Sequence, residues 1–139
     1  MISIITISFN QSNYLNRCIN SISSQSDLNY EHIIVDAGST DGSRELITSR
    51  RECFSNIIFE DDKGPADGLN KGFAIASGDI YCFINSDDML EPDSIAIVHK
   101  YFSKNPGIDI ASGHSYIKSS SDRIKRILYS DRYNIFLQV

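Results

Sequence analysis

Asp87 and Asp88 stand side by side at the end of the run Ile80-Tyr81-Cys82-Phe83-Ile84. Five apolar residues in a row predict a strand buried on both faces. Two adjacent carboxylates in a crevice repel, and one takes up a proton unless a cation sits between them. The open strand ends of an α/β sheet are where such sheets bind ligands. The chemistry this suggests is a divalent cation carrying a phosphorylated ligand. The competing reading is that the two acids simply begin the next helix, where negative charge is favoured.

Two further groups could join them. Asp36 closes the apolar run Glu31–Val35 and opens the turn-rich stretch Asp36-Ala37-Gly38-Ser39-Thr40-Asp41-Gly42. An acid at that point of a nucleotide-binding α/β domain accepts hydrogen bonds from a ribose hydroxyl or a base N–H; alternatively it caps its own turn. Asp67 and Lys71 are four residues apart on the helical face opposite Leu69 and Phe73. They form either an exposed ion pair worth at most about 0.5 kcal/mol or part of a site. No Gly-rich dinucleotide fingerprint follows the first strand, and there is no phosphate loop. Phosphate charge therefore falls to a metal, which brings the argument back to Asp88. The Asp36 segment lacks the glycine and terminal Glu positions of a calcium loop. His32 and His99 read as structural, and His114 is a lone histidine. No nucleophile elbow is present.

These groups need elements to position them. Ile2–Phe9 reads as a strand, and Leu15, Cys18, Ile19 and Ile22 recur at helical spacing. Glu31–Val35, Asn56–Phe59 and Ile80–Ile84 read as further strands. The helix between the last two carries Ala66, Leu69, Phe73 and Ala76 and ends at Gly78. Pro92 suits the first turn of a helix with Ile95, Val98 and Phe102 inward, and Ile108–Ala111 reads as a fifth strand. Strand ends near residues 9, 35, 59 and 84 are spaced by 26, 24 and 25 residues. That is the rhythm of successive βα units with right-handed crossovers. It predicts an α/β fold with a mostly parallel sheet flanked by helices, its polar segments gathered along one sheet edge.

The chain has 139 residues and a net charge of −5, which argues against a nucleic-acid partner. The charge is uneven: residues 118–139 carry +3 and the first 117 carry −8. Cys18, Cys53 and Cys82 show no metal-type spacing, and Cys18 and Cys82 read as small core hydrophobes in a reducing compartment. Met1 and Ile2 open the chain without a basic lead, so no secretory signal is expected, and no apolar run approaches the ~20 residues of a membrane span. A cytoplasmic location follows as an expectation.

One ordered set of motifs carries a resemblance. Ile4-Ile5-Thr6-Ile7-Ser8-Phe9-Asn10, Asp36 to Ser43, Lys63-Gly64-Pro65-Ala66-Asp67-Gly68-Leu69-Asn70-Lys71-Gly72, Ala76-Ser77-Gly78-Asp79 and Asn85-Ser86-Asp87-Asp88 together resemble the family 2 glycosyltransferases, nearest to bacterial enzymes that build capsule or lipopolysaccharide chains. The likeness spans about residues 2–118. It implies the GT-A (Rossmann-like) fold, a nucleotide-sugar-binding domain over residues 1–118 and a basic amphipathic segment over 119–139 that begins the acceptor side. It implies inverting transfer from a nucleotide-diphospho-sugar, most simply a UDP-sugar, to a saccharide or lipid-linked acceptor. Thr6, Ser8 and Asn10 would line the nucleotide pocket. Asp36 would bind the base and ribose, and Asp67 and Lys71 would lie beside the nucleotide or its phosphates. Ser86-Asp87-Asp88 matches the family's metal motif with Ser in its first position, which makes Asp88 the ligand of Mn²⁺ or Mg²⁺ and Asp87 a contact either to the ribose or to the groups around the metal.

The family's catalytic base lies after the metal motif, and no motif after Ala111 matches it. Asp122 and Asp131 are not nominated merely for being acids. The expectation is therefore a chain cut short after its donor-binding half. Its rivals are a non-catalytic nucleotide-sugar and metal-binding module and a nucleotidyltransferase, although Ser8-Phe9-Asn10-Gln11 lacks the latter's Gly-rich basic loop. Residues 123–139 read as a helix that packs on a missing half. A membrane-surface helix at the inner face of the membrane is the alternative. An exposed apolar patch there would favour a homodimer.

Overall fold

The computed structural model describes residues 1–119, 121 and 123–130. The chain divides into two units, Met1–Lys104 and Asn105–Val139.

The first unit is built on four strands: β1 (Ile2–Ser8), β2 (Tyr30–Asp36), β3 (Asn56–Phe59) and β4 (Ile80–Asn85). They lie in the order β3-β2-β1-β4 and every pairing is parallel. The helices α1 (Ser12–Ser23), α2 (Ser43–Ser49), α3 (Pro65–Ile75) and α4 (Ser94–Lys104) complete the unit. The chain winds outward from β1 to β3 and then returns to place β4 on the other side of β1. The strand order therefore reverses between β1 and β4, which is the crevice where such sheets bind ligands.

Alternation along β1 decides which helix meets which face. Ile2 and Ile4 face α1, where they pack with Cys18, Ile22, Ile84 and Ile95. A second cluster joins Leu15, Ile19, Ile34, Ile47 and Phe54, so α1 spans both clusters. Ile5 and Ile7 point the other way, toward α3. There Gly68 and Gly72, one turn apart, let the helix come close: a Cβ on Gly72 would lie 2.5 Å from Ile5 Cγ2, and one on Gly68 3.3 Å from Ile7 Cγ2. At the opposite end of the sheet the Glu31 carboxylate accepts hydrogen bonds from Ser3 Oγ and from the backbone N–H groups of Ser77 and Gly78, fixing the turn into β4. The Gln25 amide pins the start of α4 by donating to Glu91 O and accepting from Ile95 N.

The strands expected at residues 2–9, 31–35, 56–59 and 80–84 are all present. Three expectations up to residue 111 are corrected. Among the described residues β4 is an edge strand, not one buried on both faces: Tyr81 and Phe83 are each 56% exposed, since α3 packs over Ile5 and Ile7 and meets β4 at its rim, where Phe73 and Tyr81 stand edge to face. Ile108–Ala111 forms no strand, since it pairs with no strand among the described residues and Ile110 is 78% exposed. Pro92 lies in a turn before α4 rather than in its first turn.

The second unit holds β5 (Ser115–Lys118) and β6 (Ile124–Leu128), paired antiparallel with a bulge between Ile117 and Lys118. The helix expected from residue 123 onward is thus a strand as far as Leu128, where cross-strand pairing of β-branched residues outweighs the helical spacing of the basic ones. Residues 131–139 of that expectation, together with Asp122 and Asp131, lie outside the described residues. No helix among the described residues is long and apolar enough to cross a membrane.

Candidate functional site

At the C-terminal ends of β1 and β4 a cavity of about 520 Å³ opens at the strand-order reversal. β1 and the turn after it contribute Ile7, Ser8, Phe9 and Gln11; the turn after β2 contributes Ala37; the loop after β3 and the start of α3 contribute Asp62, Gly64 and Pro65; the end of β4 and the turn after it contribute Asn85, Ser86 and Asp87. All four strand ends therefore meet in one place, as the βα rhythm requires.

The walls carry three acceptor groups of particular interest. Ser8 is 3% exposed, yet its hydroxyl finds no hydrogen-bond partner among the described residues. A buried, unpaired hydroxyl is costly in a native interior, and one that borders a cavity is a place for a ligand atom. Asp62 is half-buried, and its Oδ1 accepts the Gly64 N–H at 2.8 Å. Asp87 is exposed at the mouth. Among the described residues no Lys, Arg or His lines the cavity.

Of the eight residues expected from sequence, the cavity wall includes Ser8 and Asp87. The other six stand behind it or beside it. Thr6 is fully buried and hydrogen-bonded to His32 Nε2 at 2.9 Å. Asn10 sits in the left-handed region (φ 53°) and spends its side chain on the neighbouring loop, where Oδ1 accepts the Thr40 N–H. Asp36 is 0% exposed. Its Oδ1 accepts from Gly38 N, Ser39 N and Arg44 Nε, and its Oδ2 from Ser39 Oγ. Burial alone would raise the Asp36 pKa, but the Ser39 and Arg44 hydrogen bonds outweigh it and hold the carboxyl below the ordinary range. The Arg44 guanidinium also lies 5.0 Å from the centre of the Phe59 ring. The residue that β2 presents to the cavity is Ala37. Lys71 pairs with Glu60 at 3.4 Å and Asp67 at 3.8 Å and donates to Asp61 O, so these charges answer one another in the loop after β3.

Asp88 is exposed next to Asp87; its Oδ2 accepts from Asn85 Nδ2 at 3.3 Å and its N–H donates to Asn85 O. Among the described residues neither acid meets a cation. Such a pair of hard oxygen donors suits Mg²⁺ or Mn²⁺. It is not a protein-only cage, because the described residues bring no third His, Cys, Asp or Glu to it. The set therefore fits an ion that takes its remaining ligands from outside the protein.

Gln11, Asp62, Asn85 and Ser86 line the cavity without having been singled out from sequence as binding residues. For Asn85 and Ser86 the signal was adjacency to the paired acids. For Asp62 it was its place after the third strand, blurred by the equally acidic Glu60 and Asp61.

The parallel sheet with its strand-order reversal is Rossmann-like, and the solved structures it matches assign it to the GT-A type. Two solved structures share this fold. S. aureus TarS 1-349 in complex with UDP-GlcNAc matches with a TM-score of 0.69 and 17% identity over 84% of this chain and 40% of that one. The mannosyltransferase PcManGT from Pyrobaculum calidifontis, in complex with GDP-Man and Mn²⁺, matches with a TM-score of 0.67 and 21% identity over 87% of this chain and 36% of that one. A family model described as glycosyl transferase family 2 matches residues 3–138, and the chain belongs to that family. An uncharacterized glycosyltransferase of Nostoc sp., alr2836, is 34% identical over 112 residues, 78% of this chain and 35% of the relative. The chain thus spans about a third of the length of that relative.

Proposed function

We propose that this chain is the donor-binding part of a glycosyltransferase that takes a nucleoside-diphosphate sugar into the cavity at the β1–β4 switch point. The observation that carries the reading is the unpartnered Ser8 hydroxyl, buried in the wall of a cavity that also exposes Asp87. A neutral, hydroxyl-rich nucleoside satisfies that wall, with Phe9 and Ala37 as its apolar part. Family membership and the two nucleotide-sugar complexes of the same fold support the substrate class.

Asp88, with Asp87 beside it, would hold a Mn²⁺ or Mg²⁺ ion, and the Mn²⁺ in the Pyrobaculum mannosyltransferase complex supports that choice. Such an ion supplies charge stabilisation to a departing nucleoside diphosphate. The residues of this chain bind and orient: Ser8 and Asp87 take hydroxyl groups, and Asn10 and Asp36 hold the floor of the pocket in shape. Asp67 and Lys71 keep the loop after β3 in place beside it. Transfer with inversion to a saccharide or lipid-linked acceptor, in bacterial surface polysaccharide synthesis at the cytoplasmic face of the membrane, is the role the sequence likeness supports for the whole enzyme.

A thermal-shift panel of UDP, GDP, dTDP and CMP with and without Mn²⁺ tests the reading. A metal-dependent rise for one nucleotide, lost in Asp88→Ala, is the expected result. No shift with any of the four overturns it.

A further inference from the structure

One stripe of α1, continued just past its end, runs along the chain that follows β4. Cys18 Sγ donates to Asn85 O at 3.6 Å, and the Ser21 hydroxyl accepts the Leu90 N–H at 3.1 Å. The Gln25 side chain donates to Glu91 O at 3.0 Å and accepts the Ile95 N–H at 3.1 Å. Residues 18, 21 and 25 are spaced by three and four, the separation that lines side chains up on one helical face. The stripe therefore ties the segment from Asn85 to Ile95 in order, one residue after another.

Between the first two tied points lie Ser86, Asp87, Asp88 and Met89, so the paired acids sit on a short span fixed at both ends by the same helix. Asn85 O also accepts the Asp88 N–H at 3.0 Å, and the bond that closes the turn thus shares its carbonyl with the Cys18 tie. Both acids stay exposed on this anchored backbone. The Ser21 tie has a defined direction. Its proton is spent on Cys18 O at 2.7 Å, which leaves a lone pair for the Leu90 N–H. The Leu90 side chain packs against the cluster that contains Cys18, Ile22 and Ile95, so its amide and its side chain are both set against the core. A carboxylate that meets a hard cation loses affinity when the groups that orient it are removed. We propose that Ser21 is a positioning residue for metal binding: by holding Leu90 from α1 it fixes the far end of the turn and sets where Asp88 presents its carboxylate to a divalent cation. Ser21 itself touches neither cation nor nucleotide. The proposal rests on the donor-binding reading above, in which Asp88 holds the ion.

Two titrations of the 139-residue chain test it. Electron paramagnetic resonance follows Mn²⁺ uptake in the presence of UDP or GDP. Calorimetry follows the same nucleotides in Mn²⁺ and in EDTA. The variants are Ser21→Ala, which removes the hydroxyl, Ser21→Thr, which keeps one, and Ser23→Ala, which removes an exposed hydroxyl of the same helix bonded to Asn20 O. Ser21→Ala should weaken Mn²⁺ binding about tenfold. Nucleotide affinity should fall by a like factor in Mn²⁺ and stay within about twofold of wild type in EDTA. Ser21→Thr should recover most of the loss, and Ser23→Ala should match wild type. Equal weakening with and without metal would make Ser21 a support of the pocket as a whole and overturn the proposal. Wild-type Mn²⁺ affinity in Ser21→Ala overturns it too, as does a threonine variant as weak as the alanine one. A wild-type chain that takes up no Mn²⁺ with either nucleotide removes the metal-dependent donor reading itself, and this inference with it.

Discussion

Asn10 Oδ1 accepts the backbone N–H of Thr40 at 2.9 Å, and in return the Asn10 N–H donates to Ser39 Oγ at 2.8 Å. Two further bonds follow in step, from Gln11 N to Ser43 Oγ at 3.2 Å and from Ser12 N to Asp41 Oδ2 at 2.8 Å. The turn after β1 is thereby laced to the turn after β2. The Ser43 hydroxyl leads in pulling the Asp41 carboxyl well below the ordinary range, so Asp41 stays an acceptor. In a fold without a phosphate loop, this lacing replaces a glycine-rich cradle as the rigid floor between Ser8 and Ala37.

Asn10→Ala removes the Thr40 bond and puts a residue without local side-chain bonding into a left-handed conformation. Urea unfolding should show a loss of about 1–2 kcal/mol. Nucleotide-induced stabilisation should fall as well, because the floor loosens. A variant as stable as wild type, with unchanged nucleotide shift, would show that the lacing is dispensable.

The Asp36–Arg44 pair gives a second prediction. Arg44→Met leaves the fully buried Asp36 carboxylate without its cation, which should cost about 2 kcal/mol at pH 7, less than a fully buried pair because Arg44 is 35% exposed. Asp36 has a lowered pKa in the folded state, so its stabilising contribution is present above its unfolded pKa and is lost as pH falls through the folded one. The gap between wild type and variant should therefore shrink as the pH is lowered from 7 toward 3. Equal gaps at both ends would assign the pair to packing rather than charge.

Asp36 also shows where sequence reading stops. The apolar run that ends in an acid was legible, and so was the strand, because burial on both sides of β2 demands continuous Ile and Val. Which way the acid turns was not. Arg44, eight residues on, claims it from behind, and Ala37 takes the pocket face. β4 taught the reverse lesson: its run of apolar residues looked like a central strand, but Tyr81 and Phe83, on the α3 face in register with Ser3 and Ile5, stay 56% exposed at the sheet edge because α3 sits over β1. Ile124–Leu128 mixed two periodicities, and pairing with Ser115–Lys118 decided between them.

His32 gives the fold a pH dependence of its own. It lies 1% exposed between Thr6 and the Phe54 ring, and burial pushes its pKa down to about 4. The folded state therefore keeps His32 neutral while the unfolded chain protonates it near pH 6.5. Stability is full above that value and is lost as pH falls toward the folded pKa. Between pH 7.5 and pH 5 the wild type should lose about 2 kcal/mol more than His32→Gln, whose amide still reaches Thr6. Urea titrations at the two pH values measure the difference; parallel curves would remove His32 as the cause.

The close approach of α3 to β1 gives the last prediction. Replacing a helix-interior glycine with alanine normally gains about 1 kcal/mol. At Gly72 the new Cβ would stand 2.5 Å from Ile5 Cγ2 and 3.0 Å from Ile5 Cγ1, both on a β-branched side chain fixed in the sheet. Neither atom can swing away as the end of a flexible chain would, so the helix must lift, and overpacking of this kind costs about 1–3 kcal/mol. Gly72→Ala should therefore destabilise despite the better propensity. Ile5→Ala destabilises through its cavity but removes the clashing atoms. The double variant should then be more stable than the sum of the two single losses implies, by about 1 kcal/mol or more. Additive losses in urea unfolding would mean that α3 shifts freely over β1.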